Sequence, residues 1–257
     1  MLPKVKFELA VLKYEADNLF DFCIPSKKFW DWSGYVYRAH PKLKEEMDKA
    51  KTRKEKENIT RSYTKIFWRS ELEQLKTQKK LFQKEWNKIN DSFMKTLSEV
   101  LETDYPKNRK TIFGMISINP ICPRFLKYWT FQIFYMQRLL QMRETVAHET
   151  LHFLYFKKWK EVFPNADEKT FDYPYLEWVL SEILAPVILR DKRIQNILKS
   201  GAKGYAEHEK AKIGKINLIQ HFENLYKNSR KKKEPFAQFL QTAYKEAQKH
   251  KDKILNA

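Results

Sequence analysis

A chain of 257 residues can bury a real core, and 42% hydrophobic and 15% aromatic content mark it as globular despite 32% charged residues. Five glycines are few for all-β or dinucleotide-binding folds, which use glycine freely in turns, so a mainly helical protein is expected. The net charge of +18 attracts polyanions, nucleic acid or an acidic protein among them, while two cysteines fall short of a disulfide framework.

Met1 to Glu8 mixes charges into the place where a signal peptide keeps an apolar run. No stretch reaches the roughly 18 uninterrupted apolar residues of a membrane span, so a cytoplasmic protein is expected. Residues 4–14 set Val5, Phe7, Leu9 and Val11 against Lys4, Lys6 and Glu8, the period of a half-exposed strand. A loop rich in Pro, Ser and aromatic residues is expected from Pro25 to His40. Pro41 to Glu102 contains no Gly or Pro after its first residue. Ile66, Phe67, Leu72, Leu75, Phe82, Trp86, Ile89, Phe93 and Leu97 recur there at helical spacings, which predicts two long amphipathic helices or one very long one. Lysines alternating with glutamates from Lys42 to Glu57 read as a solvated helix face.

Asp104-Tyr105-Pro106-Lys107-Asn108 breaks the helical run. Thr111 to Ile118 and Tyr128 to Tyr135 read as strands, the second from its aromatic and β-branched residues. From about Gln137 to Val162 the pattern is helical, ended by Pro164-Asn165, and a second apolar helix starts near Asp172-Tyr173-Pro174 and runs to about Arg190. Gly201 to Gly204 is a break, followed by amphipathic helices near 206–228 and 235–254. Between them, Arg230 to Lys233 beside Pro235 reads as an exposed basic loop.

The chemistry is carried by His148-Glu149-Thr150-Leu151-His152. Histidines four residues apart on a helix lie one turn apart on one face, so both imidazoles can bind one ion with little further loss of side-chain order. Glu149 can reach a water on that ion without being a ligand. Zn²⁺ lowers the pKa of such a water towards about 7, and Glu149 then serves as general base. The flanking Val146, Ala147, Leu151, Phe153, Leu154 and Phe156 are so apolar that a surface helix has no use for two histidines and a glutamate there. A catalytic zinc also needs a third protein ligand. Lys158 stands where the extended motif of metzincins has its third histidine, and Tyr155 where it has glycine, so that arrangement is excluded and a carboxylate becomes the expected partner. Glu177 and Glu182 on the next helix are the candidates. Glu177 is explained by its place in the first helical turn. Glu182 sits among Trp178, Val179, Ile183, Leu184 and Ala185, where a buried carboxylate needs a charged partner, and it is preferred.

His148-Glu149-x-x-His152 with a glutamate on the following helix resembles the gluzincin group of zinc metallopeptidases, especially its small members, over residues 128–190. The resemblance implies a single zincin-like domain over 1–257, with a helical arm inserted at 41–103 and a metal-site core at 104–195. The fold class expected is α+β, predominantly helical, with a small sheet. It implies Zn²⁺ as cofactor, a peptide or protein as substrate, and a strand ahead of the metal helix, Tyr128 to Tyr135, that pairs with extended peptide. The pattern departs where many gluzincins carry an aspartate four residues after the ligand glutamate, since Pro186 follows Glu182 and Ser181 follows Glu177 at that distance. Glu144, one turn before His148, is a possible substitute, and Tyr205, His208 and His221 are open candidates for oxyanion stabiliser. Two alternatives stand beside this reading: a basic nucleic-acid-binding or regulatory protein with a structural metal site, and a deformylase-like amidase with Cys122 as sulfur ligand.

Overall fold

Alternation at the N-terminus produces a strand, but a shorter one than its pattern predicts. In the computed structural model, which describes residues 2–24 and 31–256, β1 is Lys4–Leu9 and the chain turns into helix α1, Leu12–Cys23. Val11, expected to extend the strand, instead precedes the helix and is exposed. The loop expected from Pro25 to His40 lies outside the described residues at 25–30, and its later part forms helix α2, Ser33–Ala39.

The run expected as one or two long helices is four: α3 (Pro41–Lys49), α4 (Arg53–Ser70), α5 (Leu72–Asn87) and α6 (Asn90–Leu101). The start of α4 is written in Thr52-x-x-Glu55. The Thr52 hydroxyl accepts from the Glu55 amide at 3.1 Å, and the Glu55 carboxylate accepts from the Thr52 amide at 3.1 Å. Strands β2 (Thr111–Ser117), β3 (Arg124–Phe125) and β4 (Thr130–Phe134) follow, then helix α7 (Leu139–Val162) and helix α8 (Leu176–Leu189). After α9 (Lys192–Leu198), the helix expected over 206–228 is divided into α10 (Ala206–Lys210), the hairpin β5 (Lys212–Ile213) and β6 (Ile216–Asn217), and α11 (Leu218–Lys231). Gly214, at φ 63, turns that hairpin, and the Asn217 side chain caps α11 by accepting from the Gln220 amide. Helices α12 (Phe236–Lys249) and α13 (Lys251–Leu255) replace the single helix expected over 235–254. Arg230 and Lys231 end α11 while Lys232 and Lys233 form the turn that follows, and Lys231, Lys232 and Lys233 are exposed as expected.

The fold is α+β and predominantly helical, with a four-stranded mixed sheet and a two-stranded one. No helix among the described residues is long and apolar enough to cross a membrane. The chain divides into two compact units, Val5–Lys88 with Thr111–Thr145, and Met1–Lys4 with Ile89–Lys110 and Val146–Ala257.

The first unit holds the sheet, in the order β1-β2-β4-β3. β4 pairs parallel with β2, from Phe113 opposite Thr130 to Ser117 opposite Phe134, and antiparallel with β3 at Thr130 and Phe131. The strand expected to receive peptide therefore already has neighbours on both sides, and β3 is the antiparallel edge. The other edge, β1, is covered by a side chain: the Gln83 amide accepts from the Phe7 N–H at 2.9 Å and donates to the Val5 carbonyl at 3.0 Å, as a neighbouring strand would. Gly114 in β2 allows a close approach, since a Cβ there would lie 2.8 Å from the Phe7 ring and 3.0 Å from the Phe131 ring. Both rings are buried, so Gly114→Ala is expected to destabilise by about 1–3 kcal/mol through overpacking. An unchanged urea midpoint would refute this.

The second unit is helical around α8, which is buried along nearly its whole length and packs against α11, α12 and α13. From Val146 to Trp159, α7 also presents almost no exposed residue, as a helix apolar on all sides must.

Candidate metal centre

Two buried helices are a costly place for polar side chains, and three of those they carry converge. His148 and His152 project from one face of α7, and Glu182 from the middle of α8. His148 Nε2 lies 3.0 Å from His152 Nε2 and 3.1 Å from Glu182 Oε2, and His152 Nε2 lies 3.5 Å from Glu182 Oε1. Among the described residues this is the group of His, Cys, Asp and Glu whose donor atoms are close enough to hold a metal ion. Bonds of about 2.0–2.1 Å at tetrahedral angles place donor atoms about 3.3–3.4 Å apart, and the three separations cluster around that value. The donor set suits a borderline divalent transition ion.

Packing fixes these side chains. The two imidazoles meet edge to face with centroids 4.6 Å apart. His152 stacks on Phe156, which in turn stacks on Phe171 at 4.4 Å. Glu149 is buried, with Oε1 4.0 Å from His148 Nε2, beside the three donors but outside their triangle.

The choice between the two glutamates of α8 has a plain structural basis. Glu177 receives the Tyr244 hydroxyl at 2.6 Å, from α12, and is not part of the donor group. Nothing in the sequence pairs Tyr244 with Glu177. Cys122 is also outside the group; its sulfur accepts a contact from the Gln137 amide at 3.7 Å in the other unit.

Of the three oxyanion candidates, His208 is fully buried, and the negative charge of Glu182 reaches it. Burial holds the His208 imidazole below its ordinary pKa, against the raising pull of Glu182, Glu207 and Glu209. The Tyr205 ring packs edge-on against it at 5.6 Å. His221 belongs to a different cluster, with Glu246 and His250.

Comparison of the chain with protein-family models, with curated proteins and with solved structures finds no match.

Proposed function

We propose that this protein is a zinc-dependent peptidase of gluzincin type, with His148, His152 and Glu182 as metal ligands and Glu149 as general base. The observation that carries this reading is the triangle of two imidazoles and one carboxylate, at separations fitting a tetrahedral ion, with a second carboxylate set just outside it. Zn²⁺ held by such a set polarises a carbonyl and lowers the pKa of water towards about 7. Glu149 takes the proton from the attacking water and returns it to the leaving amine. Glu182 neutralises charge and, through both carboxylate oxygens, keeps the two imidazoles facing each other. His208, which the charge of Glu182 reaches, and Tyr205, packed against it, are the candidates to steady negative charge on the substrate oxygen.

Elemental analysis of protein purified without added metal tests the ligand set. One zinc per chain is expected in the wild type, lost in His148→Ala and in Glu182→Ala, and kept in Glu177→Ala. Digestion of a peptide library by the zinc-loaded chain tests the activity. Full loading without cleavage would overturn the peptidase reading and favour the basic, nucleic-acid-binding alternative suggested by the +18 charge, whose signature is affinity falling steeply with salt.

A further inference from the structure

We infer that one face of the four-stranded sheet, with the flank of α5 beside it, binds single-stranded nucleic acid, its bases stacking on Phe113 and Tyr128 and its phosphates lying along lysines. The surface belongs wholly to the first unit and uses no group of the metal centre, so it stands with or without an ion at His148. Sheet register builds it. The Lys4 and Ala10 amides donate to the Lys110 and Ile116 carbonyls at the same offset, both 3.0 Å, so β1 runs parallel to β2 and Lys6 sits beside Phe113. Phe113 is paired in turn with Thr130 of β4. Side chains alternate between the faces of a sheet, and here the faces differ: Val5, Phe7 and Ile112 are buried on one, while Lys6 and Phe113 are exposed on the other. Helix α1 closes the far end of the open face, where Glu15 accepts from Ser117.

The rings and the charges lie side by side. Phe113 is 39% exposed, and Tyr128, just ahead of β4, is 63% exposed with Lys127 Nζ 5.6 Å from its ring centroid. Open rings beside lysines suit bases, every one of which has a flat face to stack. Helix α5 lies along the free edge of β1, where Gln83 meets Val5 and Phe7. Around Gln83 is a shallow depression lined by Lys79, Lys80, Gln83, Lys84 and Asn87, three cations and two amides with no carboxylate. Lys80 and Lys84 are exposed one turn apart, and they and Lys6 make no ion pair among the described residues. Glu8, which shares the open face with Lys6, is neutralised by Lys79. Asn87 Oδ1 accepts from Gln83 Nε2 at 2.8 Å, which leaves the Asn87 NH₂ to donate.

Other polyanions match this surface less well. A membrane calls for apolar side chains interleaved with the lysines, and Leu75, Phe82 and Trp86 of α5 are wholly buried. An acidic peptide answers the lysines and leaves the two rings uncovered. A duplex keeps its bases stacked on one another and leaves them uncovered too.

The test is fluorescence anisotropy of the full chain with labelled oligothymidine, oligouridine, a DNA duplex of the same length and polyglutamate, across a salt series. Both single strands are expected to bind more tightly than the duplex, with affinity falling steeply as salt rises. Phe113→Ala and Tyr128→Ala should each weaken single-strand binding by about 5-fold to 150-fold, the worth of one stacked base, and leave the salt slope unchanged. Lys84→Ala should flatten that slope by about 0.7, the share of one phosphate on a single strand. Should Phe113→Ala disturb the sheet by circular dichroism, Tyr128→Ala, outside the strands, decides. Single-strand affinity unchanged in both aromatic variants, a duplex bound as tightly as a single strand, or binding of polyglutamate alone would overturn the inference.

Discussion

Glu149→Gln is expected to lower peptide hydrolysis by about 10²–10⁴-fold, the usual worth of a positioned general base, with zinc content unchanged. The two halves of that expectation have separate structural causes. In the proposed site zinc should be retained, because Glu149 lies outside the donor triangle, its Oε1 4.0 Å from His148 Nε2. The proposed activity should be lost, because glutamine fills the same space but cannot accept a proton at neutral pH. Glu149→Asp keeps the charge and draws it back along the side chain, and a misplacement of about 1 Å can itself cost on the order of 10²-fold. Initial rates on one cleavable peptide, with metal analysis of the same samples, read out both effects. Equal rates for wild type and Glu149→Gln would remove Glu149 from the chemistry, even with the metal in place.

The second large effect concerns stability and lies in the other unit. Glu15 is fully buried, and burial pushes its carboxyl up from 4.5 to about 7, against hydrogen bonds from the Ser117 hydroxyl and the Ile118 and Asn119 amides that favour the charged form. A folded pKa above the unfolded one means that the native state keeps a proton the unfolded chain has released. The stabilisation tied to that proton is complete below about pH 4.5 and is lost as pH rises to about 7, where the loss amounts to on the order of 3 kcal/mol. Glu15→Gln should remove this slope. Its amide oxygen can keep the bonds from Ser117, Ile118 and Asn119. Its NH₂ group then faces Gln132, whose amide now donates to Glu15 at 3.2 Å and whose own oxygen is buried without a partner. Turning the Gln132 amide over pairs the two groups. Urea unfolding between pH 5 and 8 is expected to give a falling curve for the wild type and a flatter, higher one for Glu15→Gln above pH 7. Parallel curves would show that Glu15 titrates alike in the folded and unfolded chain.

The candidate metal group is legible in the sequence because it rests on short-range periodicity and a burial argument. His148 and His152 share a face by spacing alone, and Glu182 is a carboxylate in an apolar helix with no local reason to be there. β2, β4, α7 and α8 were legible for similar reasons, each being a long pattern with one period. The breaks in the helical arm were not. Between α4 and α5 the chain turns at Glu71 with no glycine or proline, and Glu71 is held there by the Tyr135 hydroxyl at 3.1 Å, 64 residues away in sequence. Between α5 and α6, the Asn90 side chain donates to the Pro3 carbonyl, 87 residues away in sequence. Tertiary contacts of that range override local propensity and leave no mark in a window of helix formers. The β5–β6 hairpin is a different case. Its helix formers predict one continuous helix, and Gly214 at positive φ with the Asn217 side chain capping α11 divides that helix.

The unequal exposure of the three metal-centre side chains bears on how fast an ion is exchanged. His152 and Glu182 are wholly enclosed, and His148 is 23% exposed. The stacked rings of Phe156 and Phe171 close the side of His152 away from His148. An ion held there would have His148 as its solvent-facing ligand, and an external chelator would meet that side chain first. Dissociation should accordingly be slow relative to its equilibrium constant, with a half-time set by the opening of His148 rather than by chelator strength.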